Sequence, residues 1–438
     1  MQLEDIIMVC CSDLSGQLRG KGFPARQLDQ RTQKGVAWTP ANLMITAFGP
    51  NAGSPWGPRG DLLLKPDLST RVYLDFGDGS APEHFILGNL YQTDGSPWAC
   101  CLRHLAQRTL DDLTRETGLV LKAAFEHEFH YSGVEERPGT GYHLDAMRRQ
   151  GAFARTLVGA LREAGLSPDT FMPEFGPCQY EITLDPALGL RAADQAVLLR
   201  EVVRATAWRQ GARASFTPIR HPEAVGNGVH VHFSLVSAAT EAPVNYDPSQ
   251  PYEIAPIAAH FLAGILTKMP AIAALTAAST ISYLRLQPNR WSATHTNFGI
   301  QDREAGLRLC PVFDTSDLDR AQQFHFEYRV ADAVASPYLV LGAIAWAGLY
   351  GIRHRLPLPA PTTTDPNQLS AAEQAEFGIT RLPQSLRAAL EVFAKDADLR
   401  DWMGDTLHEL YQRHKYYECD LMQPLSPEAQ CDRYYEVY

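Results

Sequence analysis

A chain of 438 residues is longer than one ordinary hydrophobic core can serve, so two domains are expected, one of them large. Hydrophobic residues at 45% and charged residues at 20% describe a globular protein with ample core. A formal charge of −11 argues against nucleic acid as a partner, since phosphate binding needs a basic surface, and leaves a small ligand as the expectation.

The opening Met1-Gln2-Leu3-Glu4-Asp5 carries no basic-then-apolar leader, and no apolar run reaches about 18 residues. A soluble, cytoplasmic protein with no membrane partner is expected. Eight cysteines, including the adjacent pairs Cys10-Cys11 and Cys100-Cys101, match neither a secreted disulfide framework nor a C-x-x-C zinc pattern. They read as reduced thiols, mostly packing.

In chain order, Ile6 to Ser12 reads as a buried strand, turned at Asp13-Leu14-Ser15-Gly16 into a hairpin with the basic Arg19-Gly20-Lys21. Residues 35 to 60 are rich in Gly, Pro, Asn and Trp and read as a long loop. Strands follow at Asp61 to Leu64 and Val72 to Asp75, which sets a small β-rich domain over residues 1–95 and a second domain over 96–438. Leu102, Leu105, Leu110 and Leu113 recur at helical spacing up to Gly118.

The stretch that organises the rest comes next, Ala124-Phe125-Glu126-His127-Glu128-Phe129-His130-Tyr131. Alternation along a strand turns Glu126 and Glu128 to the same face, and two adjacent anions in an apolar run repel and lose hydration. Such a pair needs arginines or bound cations to stay ionised; an edge strand with both acids in water is the plain alternative. A Gly/Pro-rich loop at 137–141 leads to Tyr142 and a helix from about Asp145 to Glu163. Strands carrying Glu174 and Glu181, then His230, His232 and Ser234, are separated by a helix over 192–210. A helix from Pro256 to Ala278, an Arg/Pro/Trp-rich loop from Tyr283 to Ala293, and strands at Gly306 to Cys310 and Phe324 to Val330 precede an apolar helix near Pro337 to Gly351. The segment after Pro357 is Pro/Thr-rich, then helical.

Five carboxylates (Glu126, Glu128, Glu174, Glu181, Glu327) and His230 facing one cavity would be untenable as bare charges. They suit roughly two or three divalent cations, and oxygen-rich ligands favour Mg²⁺ or Mn²⁺. Arg285, Arg303, Arg308 and Arg329 offer the fixed positive charge that phosphoryl transfer and a substrate carboxylate require.

In these motifs the chain resembles the glutamine synthetase family over essentially its whole length: Glu126-His-Glu128; Glu174-Phe-Gly-Pro-Cys-Gln-Tyr-Glu181; Gly226-Asn-Gly-Val-His230-Val-His232-Phe-Ser234; Ser282-Tyr-Leu-Arg285; Arg303-Glu-Ala-Gly-Leu-Arg308; and Glu327-Tyr-Arg329-Val-Ala-Asp332. The resemblance implies an α+β fold, an N-terminal β-grasp domain followed by a catalytic domain of antiparallel sheet with helices. It also implies a homo-oligomeric ring, a dodecamer of stacked rings, with active sites between neighbouring subunits. By motif, Glu128, Glu174 and Glu181 would hold one metal and Glu126, His230 and Glu327 the other. Tyr142, Gly226, Arg285 and Arg329 would bind substrate together with Glu126. His232, Ser234 and His325 fall where ATP lies, and Arg303 and Arg308, with Arg329, where the transferred phosphate is stabilised. The implied reaction is activation of glutamate by ATP as γ-glutamyl phosphate, followed by attack of an amine.

Departures from the family pattern bear on the amine. Ammonia-using members carry a glutamate in the loop after the equivalent of Arg285, where this chain has Trp291. They also bring an aspartate from the neighbour's N-terminal domain, and the counterpart here, Val36-Ala37-Trp38-Thr39-Pro40-Ala41-Asn42, has no acid. Losing both anions removes the attraction for a small cation, and two tryptophans offer an apolar or cation–π surface instead. A primary amine larger than ammonia is therefore expected; a rebuilt ammonia site and a catalytically silent ring are the alternatives. His325 stands where the family has an arginine near the nucleotide, Cys178 replaces a glycine, and neither is expected among the metal ligands. Thr362 to Asn367 lacks the tyrosine that some bacterial members adenylylate, so that regulation is not expected.

Overall fold

The computed structural model describes residues 3–313 and 319–438. Its N-terminal strands are β1 (Ile6–Ser12), β2 (Leu18–Pro24), β3 (Val36–Trp38), β4 (Leu62–Pro66), β5 (Val72–Leu74) and β6 (Glu83–Gln92). They form one sheet in the order β2-β1-β6-β4-β3, with β5 also on β6. β1 and β6 run parallel and the other pairs antiparallel. The expected hairpin is present, its turn held by the Asp13 carboxylate, which accepts from the backbone N–H of Ser15 and Gln17 at 2.8 and 2.9 Å. Residues 35–60 are not one open loop: β3 forms the sheet edge and a 3₁₀ turn spans Pro40–Met44.

The second sheet comprises β7 (Leu119–Tyr131), β8 (Pro168–Pro173), β9 (Gln179–Leu184), β10 (Ala187–Leu188), β11 (Ala214–Ser215), β12 (Val229–Ser237), β13 (Phe298–Ile300), β14 (Leu307–Leu309) and β15 (Phe326–Tyr328). Its order is β13-β14-β15-β12-β7-β9-β8, with β10 and β11 also on β7. All its pairings are antiparallel except β13 with β14. The architecture is α+β, as expected.

β7 shows why the sheet has two faces. Leu119, Leu121, Ala123, Phe125, His127, Phe129 and Tyr131 alternate onto the buried face, covered by helices Leu102–Thr117 and Leu190–Arg209. Lys122, Ala124, Glu126 and Glu128 take the other face, as the period of two requires. Helix Leu102–Thr117 buries Leu102, Leu105, Leu110 and Leu113 and stops at Gly118, whose φ of 70° suits a left-handed cap. The helix expected over 145–163 is two, Leu144–Arg149 and Gly151–Glu163. Helix Pro256–Thr276 is long and apolar enough to cross a membrane, yet it packs inside the molecule against helix Pro337–His354. The two sheets are tied by buried polar contacts: Arg103 grips Asp194 and Asp67 at 2.8 Å, and Arg200 donates to the Gly16 carbonyl at 3.1 Å.

Candidate active site

Strand register assembles the site. Glu126 faces His230 across β7 and β12, Glu128 faces Glu181 across β7 and β9, and Glu327 on β15 lies between His232 on β12 and Arg308 on β14. Residues as distant in the chain as Glu126 and Glu327 thus form one polar row on the open face of the sheet. Glu174 is not on a strand as expected; it follows β8 directly, where its backbone N–H donates to the Gln179 carbonyl at 2.8 Å and closes the turn into β9.

His230 Nδ1 sits 2.9 Å from Glu126 Oε2, 3.6 Å from Glu327 Oε1 and 4.0 Å from Glu128 Oε1. Glu128 Oε2 accepts from Gln179 Nε2 at 3.0 Å and from the Gly228 N–H at 3.1 Å. Glu174 Oε2 accepts from the Tyr142 hydroxyl at 3.2 Å and from the Phe175 N–H at 3.0 Å. On the other side Glu327 is clamped by Arg308, at 2.7 Å, and by Arg329.

The two halves of this row differ electrostatically. Burial pushes Glu128 up to about 8, with the anions of Glu174 and Glu126 adding to the effect. Burial, then Glu126, Glu128 and Glu174, takes Glu181 to about 10, and burial also raises Glu174. Burial opposes ionisation of Glu126 and Glu327 as well, but there it is overcome. Hydrogen bonds from His230 and His232 hold Glu126 well below the ordinary carboxylate range, and Arg329, His232 and His230 hold Glu327 at about 2.

Among the described residues no lysine or arginine pairs with Glu128, Glu174 or Glu181. A buried, unneutralised, all-oxygen set is what a hard divalent cation fits, and Glu126, His230 and Glu327 add a mixed set beside it.

A cavity of about 750 Å³ opens over these acids. Glu126, Glu128, Glu174, Glu181 and His230 form its floor, and Arg285, Arg303 and Arg329 line its wall. Gly226 lies against the Arg285 side chain so closely that a Cβ would overlap it. Arg285 donates to the carbonyls of Val330 and Ala331, and Arg329 donates to those of Arg303 and Trp291 at 2.9 and 3.2 Å. A second cavity, of about 460 Å³, is lined by Glu126, His232, Ser234, His325 and Lys122, which brings together His232, Ser234 and His325 of the residues expected at the nucleotide, while Arg303, expected there too, lines the larger cavity. Arg308 turns instead toward Glu327 and lines neither cavity.

At the rim of the larger cavity stand Trp291, Phe175 and Tyr142, with 57%, 60% and 49% of their surfaces exposed. Trp291 has φ 52°, and Glu304 holds its loop by accepting from the N–H groups of Trp291 and Asn289, both at 3.3 Å. The acid at this rim, Glu223, faces Arg290 at 3.5 Å.

The family model described as the glutamine synthetase catalytic domain matches residues 99–434, and that of the glutamine synthetase N-terminal domain matches residues 1–98. The chain belongs to the glutamine synthetase family. Among curated relatives, the gamma-glutamylpolyamine synthetase GlnA3 of Streptomyces coelicolor is 31% identical over 92% of this chain and 86% of its own. The glutamine synthetase of Thermococcus kodakarensis is 29% identical over 91% and 86%. A crystal structure described as a novel glutamine synthase homolog superposes with a TM-score of 0.92 at 38% identity, covering 100% of this chain and 99% of that one.

Gln179, to which the motifs assigned no role, also reaches the Gly226 carbonyl and Asn227 Oδ1, both at 2.9 Å. Both residues stand inside the quoted motifs, and that was the available signal. Nothing in the sequence marked Glu304 as the anchor of the Trp291 loop, or Cys310 as a neighbour of His232.

Proposed function

We propose that the protein is an ATP-dependent ligase that joins glutamate, through γ-glutamyl phosphate, to a primary amine larger than ammonia. The observation that carries the amine part is the rim: at the position of the ammonium-side glutamate an exposed indole stands with Phe175 and Tyr142 over an acid-lined cavity. An apolar rim above a charged floor favours a molecule with a cationic end and an apolar body.

In this reading Glu128, Glu174 and Glu181 hold one divalent cation and Glu126, His230 and Glu327 a second. Bound there, Mg²⁺ or Mn²⁺ supplies positive charge to the polyphosphate and the transferred phosphoryl group. The protein's own contribution is positional. Arg285, with Gly226 making room beside it, and Arg329 hold the glutamate carboxylates, and Arg303 faces the phosphate from the wall. Gln179 and the Gly228 N–H orient Glu128, while Tyr142 and the Phe175 N–H orient Glu174. His232, Ser234 and His325 meet the nucleotide in the adjoining cavity. The cavity takes no lining residue from positions 1–98 among the described residues, which accords with a ring in which a neighbour's N-terminal domain completes each site.

GlnA3 is named for polyamines, which supports an extended amine as the acceptor. The match to an archaeal glutamine synthetase supports the second reading, ammonia use with a rebuilt site. Phosphate release from ATP with Mg²⁺ and glutamate, across ammonium, alkylamines, polyamines, ethanolamine and anilines, separates them. Turnover on a larger amine well above that on ammonium is expected; a preference for ammonium overturns the proposal.

A further inference from the structure

Beside the carboxylate row lies a second cluster of different chemistry. β12, β14 with the residue that follows it, and the residue preceding β15 bring His232, Cys310 and His325 together, their ligand atoms all within 4.8 Å of one another. Cys310 Sγ is 3.7 Å from His232 Nδ1, and His325 Nε2 is 3.1 Å from the same nitrogen. Nitrogen and sulfur ligands of one tetrahedral zinc ion, at their usual bond lengths, stand roughly 3.3 to 3.6 Å apart. Two of the three pairs match that spacing to within a few tenths of an ångström, and the third pair, Cys310 with His325, lies within 4.8 Å.

The far nitrogen of His325 is hydrogen-bonded, and that of His232 faces two carboxylates. His325 Nδ1 lies 2.6 Å from the Gln323 carbonyl, which can only accept, so Nδ1 carries the proton and Nε2 presents its lone pair to the cluster. His232 Nε2 faces Glu126 Oε2 at 3.6 Å and Glu327 Oε1 at 3.8 Å, so a proton there leaves Nδ1 as the donor atom. A carboxylate or carbonyl behind each histidine is the usual support of a ligating imidazole. Cys310 is buried, which keeps the thiol from bulk oxidants, and its sulfur lies 3.7 Å from His232 Nδ1 and 3.8 Å from Glu327 Oε2.

We infer that His232, Cys310 and His325 form a binding site for a borderline divalent cation, Zn²⁺ above all, adjoining the carboxylate sites for Mg²⁺ or Mn²⁺ but built of different ligand atoms. Two imidazoles and a thiolate discriminate against Mg²⁺, which takes oxygen ligands, and favour Zn²⁺. Three protein ligands leave a fourth position open, and His232 and His325 both line the 460 Å³ cavity with Ser234 and Lys122. On the ligase reading, that open position meets a nucleotide phosphate, and the ion supplies the positive charge that the family's arginine would bring at position 325.

Titration of the full-length, metal-stripped protein with Co²⁺, read by absorption, tests the site without using activity. One equivalent should bind with a thiolate-to-cobalt charge-transfer band and tetrahedral ligand-field bands, displaced by Zn²⁺ but not by excess Mg²⁺. Cys310→Ser should abolish the charge-transfer band, and His325→Gln, which keeps the thiol, should weaken Co²⁺ binding at least ~10-fold. A wild-type protein without the band overturns the site, and so does a band that survives in Cys310→Ser, since seven other buried thiols could supply it. Adding ADP should shift the ligand-field bands. A normal cobalt site that ADP leaves unmoved overturns the phosphate contact alone.

Discussion

Glu128 on β7 and Glu181 on β9 stand directly opposite each other in antiparallel register; burial, with Glu174 and Glu126 nearby, raises Glu128 to about 8, and burial, with Glu126, Glu128 and Glu174 nearby, raises Glu181 to about 10. In the metal-free protein both therefore keep their protons near neutral pH, while in the unfolded chain both lose them near pH 4.5. A group whose folded value is raised contributes stability at low pH that is lost as pH climbs through the folded value. Each such proton costs about 1.4 kcal/mol per pH unit across that window. The metal-free protein should accordingly melt lower at pH 8 than at pH 6.5, and Mg²⁺ or Mn²⁺ should abolish the difference by taking the protons' place. Thermal melts with and without metal measure it, and calorimetry in two buffers of different ionisation enthalpy should register proton release on binding. Melting that rises with pH in the metal-free protein removes the assignment of these two acids.

Substituting Glu128→Ala should leave the fold intact and abolish metal-dependent ATP binding, because the two remaining acids then lack the third oxygen donor of their set. Isothermal calorimetry with Mg²⁺-ATP checks this; unchanged affinity contradicts it.

Arg329 spreads its guanidinium over Glu327, the Arg303 carbonyl and the Trp291 carbonyl, so it joins β15 to the rim. A lysine can meet one of these at a time. Arg329→Lys should reduce kcat/KM about 100-fold or more, a loss of the size seen when one fixed donor to a reacting group is removed. Steady-state kinetics on the folded variant, confirmed by circular dichroism, give the answer, and retention of a tenth of the activity or more contradicts the bidentate role.

Gly226 carries no positive φ; its requirement for glycine is the Arg285 side chain lying where a Cβ would be. Gly226→Ala should push Arg285 aside at a cost of about 1 to 3 kcal/mol and raise the KM for glutamate much more than it lowers kcat. A KM that stays within a factor of two would show that Arg285 is free to move without consequence.

Much of this was legible before any coordinates, and the limits have physical causes. The period of two placed Glu126 and Glu128 on one face of β7 and His127 on the other, because alternation needs only local geometry. β6 escaped notice because Gly88 and Asn89 interrupt its apolar pattern, yet Gly88 is there so that β4 can approach closely. The break between the helices at Gln150 is marked by Gly151 alone, with no proline, and a lone glycine within a helical pattern is also compatible with an unbroken helix. Which acid faces which histidine depends on strand register, a long-range property, and only the motifs hinted at it. Cys310 and His325 meet through the pairing of β14 with β15, which no spacing in the chain announces.

The proposed acceptor is an amine larger than ammonia, with Trp291 selecting it. A carboxylate at this position would restore an anion near the incoming nitrogen. At ~4 Å and an effective dielectric near 20, one such charge is worth about 4 kcal/mol, enough to change which amine wins. Losing the indole face should weaken the larger amine by roughly 1 to 3 kcal/mol of transition-state binding. Trp291→Ala should therefore harm the larger amine without helping ammonium, and Trp291→Glu should do both. The deciding measurement is kcat/KM for ammonium and for the best larger amine, at fixed ATP, Mg²⁺ and glutamate, in wild type and Trp291→Glu. The account predicts that wild type favours the larger amine and that the variant shifts the ratio toward ammonium; a wild type that already prefers ammonium, or a ratio that Trp291→Glu leaves unmoved, contradicts it.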